Sequence, residues 1–443
     1  MFKTLKNAWK TPELQKKILF TLFIVLLYRL GACMVVPYVS GDIAGSFQSV
    51  YGSSVLGLMS ILSGGALQYA TLFALSVSPY ITASIVMQLL TVAIPPLERM
   101  AKGPDGQKKV NVITRYVTVA LALITSFGYS MLLKNQGWLE RSDWFAMIVI
   151  NAAFCAGASL VMWLAEMIND KGIGNGISII LFANIISQLP SLVQSMITGL
   201  FGASSSVHWA IGIVIAIAVV AVSIAAVGFI VWVTNSERRL KVMYAKRVVG
   251  RKMYGGQVSN LPIKLNMSGV MPIIFASSIV SIPATIAAFM DSKSGFVKFV
   301  NSFLSPTSWL YLVLFLILTV AFSYFYIMIS FNPVEVANQI NSNGGAIQGM
   351  RPGRPTVQLI NSILKRITLI GAFFLCIVAG LPMLVMVIMT AVQSAVPTFN
   401  INFLAPLTFS GSSLLIVVGV VLETVRDLEA QLSLRNDRKG FLN

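Results

Sequence analysis

Apolar runs of 18 or more residues recur along this chain. A run of that length is read as a helix that crosses a bilayer. Ten can be drawn, at roughly 18–36, 70–94, 112–133, 145–165, 177–200, 210–233, 269–290, 309–331, 366–389 and 405–423. The last is the weakest, because Ser410, Gly411, Ser412 and Ser413 interrupt its first half. Composition excludes the competing classes. The 443 residues are 56% hydrophobic and 11% charged, whereas a soluble domain carries about 25% charged residues. A disordered chain would be poor in apolar residues. A soluble enzyme of this size would need more charge to cover its surface, and a basic nucleic-acid binder would not be this apolar. The expected fold class is an all-α polytopic membrane protein.

Charge fixes the orientation. Lys3, Lys6, Lys10, Lys16 and Lys17 precede the first run, as in a secretory signal. That run is 19 residues long, contains Arg29 and lacks a small-x-small cleavage site, so it is expected to be a retained span. With ten spans, one set of alternate connecting segments and termini holds 27 Lys and Arg, and the other holds 4. Missing or inventing one span in mid-chain would destroy that asymmetry. By the positive-inside rule both termini are expected in the cytoplasm, and the net charge of +17 becomes a cytoplasmic surface. Two cytoplasmic loops are long, 234–268 and 332–366. The first carries Arg238, Arg239, Lys241, Lys246, Arg247, Arg251, Lys252 and Lys264, and the second a Gly/Pro-rich tip around Arg351. Loops of this length usually have a function. Basic residues there can meet anionic phospholipids, ribosomal RNA phosphates or an acidic partner.

The spans are nearly free of charge. Arg29 is the one clearly embedded ion, with Arg115 and Glu166 near span ends. Embedded acids usually mark ion paths and proton relays, and none is placed for that work. Gln88, Asn151, Asn184 and Gln188 suit helix–helix hydrogen bonding. Cys33, Cys155 and Cys376 lie in apolar runs with no metal spacing, His208 follows a Ser-rich loop, and neither metal nor cofactor is expected. Ten spans divide into five and five, which would invert the second half as a repeat requires. The second span of each half is proline-interrupted, at Pro79 and at Pro272 and Pro283, although Pro190 and Pro382 occur elsewhere. Residues 55–67 are apolar but only 13 long. They suit a re-entrant segment buried in protein or an amphipathic surface helix.

Several segments carry a family resemblance. Thr71 to Leu90, Lys171 to Ser178 (KGIGNGIS), Arg238 to Arg247, Leu261 to Ser278, Phe331 to Ala337 (FNPVEVA) and Gly349 to Thr356 (GMRPGRPT) resemble the bacterial SecY family of protein-conducting channels. The resemblance runs the whole length. It implies ten helices in two pseudo-symmetric five-helix halves, 1–200 and 201–443, around an hourglass pore with a plug and a lateral gate. It places a pore ring on Ile81, Ile85, Leu181, Ile185, Ile274 and Ile416, with Leu181 where many relatives carry Ile. Ile81/Ile85 and Leu181/Ile185 are i, i+4 pairs, so each pair projects on one helix face. By the same resemblance the 55–67 segment is the plug, including Leu56, Leu58, Met59, Ile61 and Leu62, with Gly64 and Gly65 at its hinge-like end. Spans two and seven face each other as gate walls, with Pro79, Ser84 and Gln88 on one side and Pro272, Ser277 and Ser278 on the other.

The resemblance implies docking of ribosome and SecA motor at Arg238, Arg239, Lys246, Arg247, Arg251, Lys252 and Arg351. It implies SecE and SecG as membrane partners, secretory and membrane protein nascent chains as cargo, and the bacterial cytoplasmic membrane as location, with residues 424–443 as a cytoplasmic tail. The expected function is the channel subunit of the Sec translocase, with no enzyme activity. An ion-coupled transporter would need the embedded acids this chain lacks. An accessory SecY devoted to a few substrates stays open. The glycine run 172–176 has no preceding strand, so a tight turn is expected there rather than a phosphate cradle.

Overall fold

In hydrocarbon every backbone N–H and C=O must find a partner within the chain, which leaves the helix as the spanning element for such runs. The computed structural model describes residues 8–40, 43–51, 57, 59–60, 63–101, 103, 105–141, 143–201, 209–244, 247–249, 252–254, 258–288, 295–305, 308–395 and 405–442. The first part of the chain forms α1 (Pro12–Gly31), α2 (Ile43–Tyr51), α3 (Ser78–Ala93), α4 (Pro95–Ala101), α5 (Gly106–Asn135), α6 (Trp144–Lys171), α7 (Gly176–Phe201) and α8 (Trp209–Asn235). Then come β1 (Glu237–Tyr244), β2 (Arg247–Val249), β3 (Lys252–Tyr254) and β4 (Val258–Lys264). The rest forms α9 (Met271–Ala288), α10 (Gly295–Phe303), α11 (Trp309–Ser330), α12 (Pro333–Ser342), β5 (Gly345–Ile347), α13 (Arg354–Ala395) and α14 (Ala405–Leu442).

Each of the ten expected spans thus holds a helix. Among the described residues, Lys108–Asn135, Trp144–Lys171, Trp309–Ser342 and Arg354–Ile388 are long and apolar enough to cross a membrane unaided. A fifth, Ser78–Ala93 with Pro95–Ala101, bends by 107°. Gly176–Ser191, Val220–Asn235 and Met271–Pro283 are apolar but shorter.

The helices pack in a recurring order. α3 packs on α5, α5 on α6, α6 on α7, and α1 on α7. Five spans later, α9 packs on α11, α11 on α13, α13 on α14, and α8 on α14. Between the two sets, α3 and α5 meet α9, and α7 meets α8 and α14. The packing has the repetition that the sequence suggested only by arithmetic.

Two expectations are corrected. Residues 70–94 do not form one helix: 63–77 run as successive turns and the helix starts at Ser78. Nor do Pro79 and Pro272 interrupt their helices. Each is the second residue of its helix, where the missing N–H is an orphan anyway and the fixed φ suits a start. Of these three prolines, Pro283 alone lies inside its helix. Side chains from neighbouring helices hold the turns. Ser76, at φ 49°, accepts from Asn184 Nδ2 at 3.1 Å and pairs with the Tyr28 hydroxyl at 3.2 Å. Tyr129 donates to the Leu67 carbonyl. The turns press on Gly157 of α6, where a Cβ would run into the Leu72 carbonyl. Overpacking of this kind costs about 1–3 kcal/mol. Gly157→Ala is therefore expected to lower the thermal midpoint of the purified protein in detergent, and Gly157→Val to prevent its accumulation. Unchanged melting of both would contradict the close approach.

The two long loops join in one small body. β4, β1 and β5 form an antiparallel sheet in that order, with Val242 opposite Ser259 on β4 and Ile347 on β5. Val242, Ile263, Ala337, Ile340, Ile347 and residues of the first turns of α13 share a core. A second pair, β2–β3, sets Arg247 opposite Tyr254 and Val249 opposite Lys252.

Candidate functional site

Ile81 and Ile85 come from α3, Leu181 and Ile185 from α7, Ile274 from α9 and Ile416 from α14. All six belong to the large buried apolar core shared by the helices, together with residues such as Ile24, Phe73, Phe315 and Phe374, and each is at most 8% exposed. The i, i+4 spacing explains two of the four contributions, since both members of a pair face the same way. The helices that carry the six adjoin across the two sets, α3 packing on α9 and α7 on α14. The six side chains are all aliphatic and carry no hydrogen-bonding group or charge. Aliphatic side chains lining a pore would select against no sequence and would obstruct ions by dewetting.

The polar residues of the seam are satisfied within their own helices. Gln88 donates to Ser84 Oγ at 3.3 Å, and Ser277 and Ser278 both donate to the Ile274 carbonyl, at 2.9 and 2.8 Å. Side-chain bonds of this kind do not tie α3 to α9, so parting the two helices would not break them.

Of the proposed plug, Leu56, Leu58, Ile61 and Leu62 lie outside the described residues. Met59 packs against a second core cluster with Val36, Phe47 and Leu67, and Ser60 and Ser63 are buried. Gly64 and Gly65 have φ of 68° and 84°, a left-handed conformation that glycine adopts without strain. Space forbids a side chain there as well. A Cβ on Gly64 would lie 2.8 Å from Arg29 Nη1, 2.9 Å from Asn184 Oδ1 and 3.0 Å from Ser187 Oγ, and one on Gly65 would lie 2.8 Å from Gln188 Nε2. The lone embedded cation of the sequence therefore reaches the hinge-like glycines, together with a polar face of α7. Periodicity alone gives no hint of that meeting. The clue was the retention of a charge inside the first span. The other two charges near span ends, Arg115 and Glu166, pair at 2.8 Å.

Arg351 stands at the tip of a braced turn. Gly349 and Gly353 flank it with φ of 84° and 106°. Its carbonyl accepts from Thr356 Oγ1 at 2.9 Å, and Gln348 N donates to the Lys241 carbonyl of β1 at 3.2 Å. Arg238 and Arg239 are exposed on β1, the same sheet. The fold thus unites Arg351 with the first loop's basic strand. Arg247 and Lys252 fall in β2 and β3, whereas Lys246 and Arg251 lie outside the described residues, as does His208. The end of α8, just before β1, is tied to α14: Arg426 donates to the Thr234 carbonyl at 3.3 Å and Asn235 Oδ1 at 2.9 Å. Burial there, and the nearby Arg426 charge, push the Lys264 amine below the usual lysine range.

The glycine run is the expected turn. Gly174 has φ 74°, its N–H donates to Asp427 Oδ2 at 3.0 Å, and Asn169 Oδ1 accepts from Gly176 N at 2.7 Å. Among the described residues the three cysteines are unpaired in any disulfide.

Comparison with known proteins follows the same lines. The SecY family model matches residues 71–425. The chain is 39% identical to the protein translocase subunit SecY of Streptomyces scabiei, covering 100% of both. It is also 39% identical to that of Mycobacterium bovis, with the same coverage. Among solved structures it resembles one described as a protein conducting channel, at a TM-score of 0.62 and 17% identity, covering 94% of this chain and 92% of that one. It also resembles Sec61 in a canine ribosome–channel complex from the endoplasmic reticulum, at a TM-score of 0.59, 17% identity and the same coverage.

Proposed function

The chain belongs to the SecY family, and from that premise we propose that its six clustered aliphatic side chains are the constriction of its channel. It is the channel subunit of a protein translocase, a multi-pass membrane protein that conducts unfolded secretory chains and releases apolar segments sideways into lipid. The observation that supports the proposed site is that Ile81, Ile85, Leu181, Ile185, Ile274 and Ile416, from four helices, are all buried in the core where α3 packs on α9 and α7 on α14. Residues 1–200 and 201–443 act as the two halves, a division supported by the recurring order of helix packing.

In this reading α3 and α9 are the gate walls. The segment about 55–67 is the plug, seated with Gly64 and Gly65 against Arg29 and α7. The basic sheet and Arg351 face the cytoplasm in a bacterial cytoplasmic membrane, with both termini on that side. They dock the ribosome and the SecA motor, and SecE and SecG complete the membrane complex. The chain itself does no chemistry: energy comes from translation, from the motor or from the membrane potential. Sideways release is partitioning, since about 20 apolar residues leave a wet pore for hydrocarbon.

Photocrosslinkers placed singly at the six positions should all capture a stalled secretory chain in its extended, mid-membrane part. Capture from lipid-facing positions instead would place the path elsewhere. The state of the ring is tested by Ile416→Asn. A buried amide left unpaired costs about 1–3 kcal/mol, which disfavours the packed, dry state of the ring. Export of proteins with defective signal sequences should rise several-fold. Unaltered signal stringency would count against a seal at Ile416.

A further inference from the structure

α10 is a nine-residue helix, GFVKFVNSF, between the ends of α9 and α11 on the face opposite the basic sheet. Its side chains divide three ways. Val297 and Val300 are buried against Ala287, one residue from the end of α9, with Leu304 beside them. Phe296, Phe299 and Phe303 are 40%, 51% and 50% exposed. At 100° per residue these three share a single arc, next to the valine arc. The Phe299 and Phe303 rings lie 5.1 Å apart, a continuous aromatic surface with no protein cover among the described residues. Lys298 and Ser302 are exposed on the remaining side.

We infer that α10 lies in the membrane–water interface, with its phenylalanine face in the lipid and Lys298 and Ser302 toward headgroups and water. Three observations choose lipid as the occupant. The grip of Val297 and Val300 on Ala287 fixes the depth of the helix at the outer end of a spanning segment. The apolar surface continues onto α9, where Ile282 and Ile286 are themselves 42% and 45% exposed one turn apart. Trp144 and Trp309, first residues of the spanning helices α6 and α11 on this same face, are exposed as well, as interfacial aromatic belts are. A short helix with one protein-bound, one aromatic and one polar side is the form that lies in an interface rather than across it. Such an anchor ties the far end of α9 to the lipid surface.

The test uses the full chain in its translocase complex, reconstituted in phosphatidylcholine–phosphatidylglycerol vesicles, with Cys33, Cys155 and Cys376 replaced by serine. A fluorophore sensitive to polarity is attached after Phe299→Cys, or after Lys298→Cys in a second protein. At 299 a spin label near the top of the lipid acyl chain should quench at least several-fold better than aqueous iodide, and at 298 the order should reverse. Preferential iodide quenching at both positions would place the helix in water and overturn the inference. Shielding of 299 from both quenchers would overturn it as well, assigning the face to a protein partner. Translocation of an ordinary precursor by both labelled proteins shows that the complex being probed is intact.

Discussion

Replacing Arg351 by glutamate is expected to stop motor-driven export while the protein still folds and inserts. The residue is exposed, so the change leaves no buried charge behind. Its setting is rigid: two left-handed glycines flank it, Thr356 holds its carbonyl, and Gln348 fastens the turn to β1. A fixed cation of this kind is suited to a particular anionic site on a partner. Setting an anion in its place puts like charges together, which costs several kcal/mol, and about 3 kcal/mol is a hundredfold in affinity. In reconstituted vesicles with SecA and ATP, the fraction of precursor protected from protease should fall toward background. Arg351→Lys should recover part of it, since lysine keeps the charge but not the planar fork of donors. Normal SecA-driven transport by the glutamate variant would remove Arg351 from the docking surface.

How far the sequence carried this structure depends on the element. The spans were legible because hydrocarbon imposes one solution on a long apolar run, and length is read directly. The proposed ring could be named only through the family resemblance, because by sequence Ile81, Ile85, Leu181, Ile185, Ile274 and Ile416 look like any other core residues. The turns at 63–77 were missed, since their composition is that of a span. What ends the helix there is Pro79 together with remote partners, Tyr28, Tyr129 and Asn184, which no local pattern reveals. The loop sheet was missed for a different reason. Leu240, Val242 and Tyr244 do alternate, as do Leu261 and Ile263, but the partner that buries them is the other long loop, far along the chain, where Ile347 lies opposite Val242. Arg29 was singled out by its cost in a span, yet its neighbour, the Gly64–Gly65 turn, emerges only in three dimensions.

The lateral route admits a more drastic test than the ring. If the proposed gate lies between α3 and α9, release of a membrane segment requires them to part by at least the width of a helix, about 10–12 Å. A disulfide holds its two Cα atoms within about 7 Å. In the structure α3 packs on α9, and Ile81 and Ile274 are both buried in the same core. Ile81→Cys combined with Ile274→Cys, in a background lacking the three native cysteines, should therefore bridge under mild oxidation or with a short bifunctional reagent. Once bridged, insertion of a membrane protein in reconstituted vesicles should fall to background, and reduction of the disulfide should restore it. The restoration matters because it separates a locked gate from a damaged protein. Gln88, Ser84, Ser277 and Ser278 bond within their own helices, so the unbridged seam rests mainly on apolar packing. An arriving apolar segment can replace that packing with its own side chains as α3 and α9 separate. A covalent bridge is the one contact it cannot replace. If bridged protein still inserted membrane segments, the exit would have to lie between another pair of helices. If no bridge formed in any state, the proposed gate between α3 and α9 at Ile81 and Ile274 would itself be refuted.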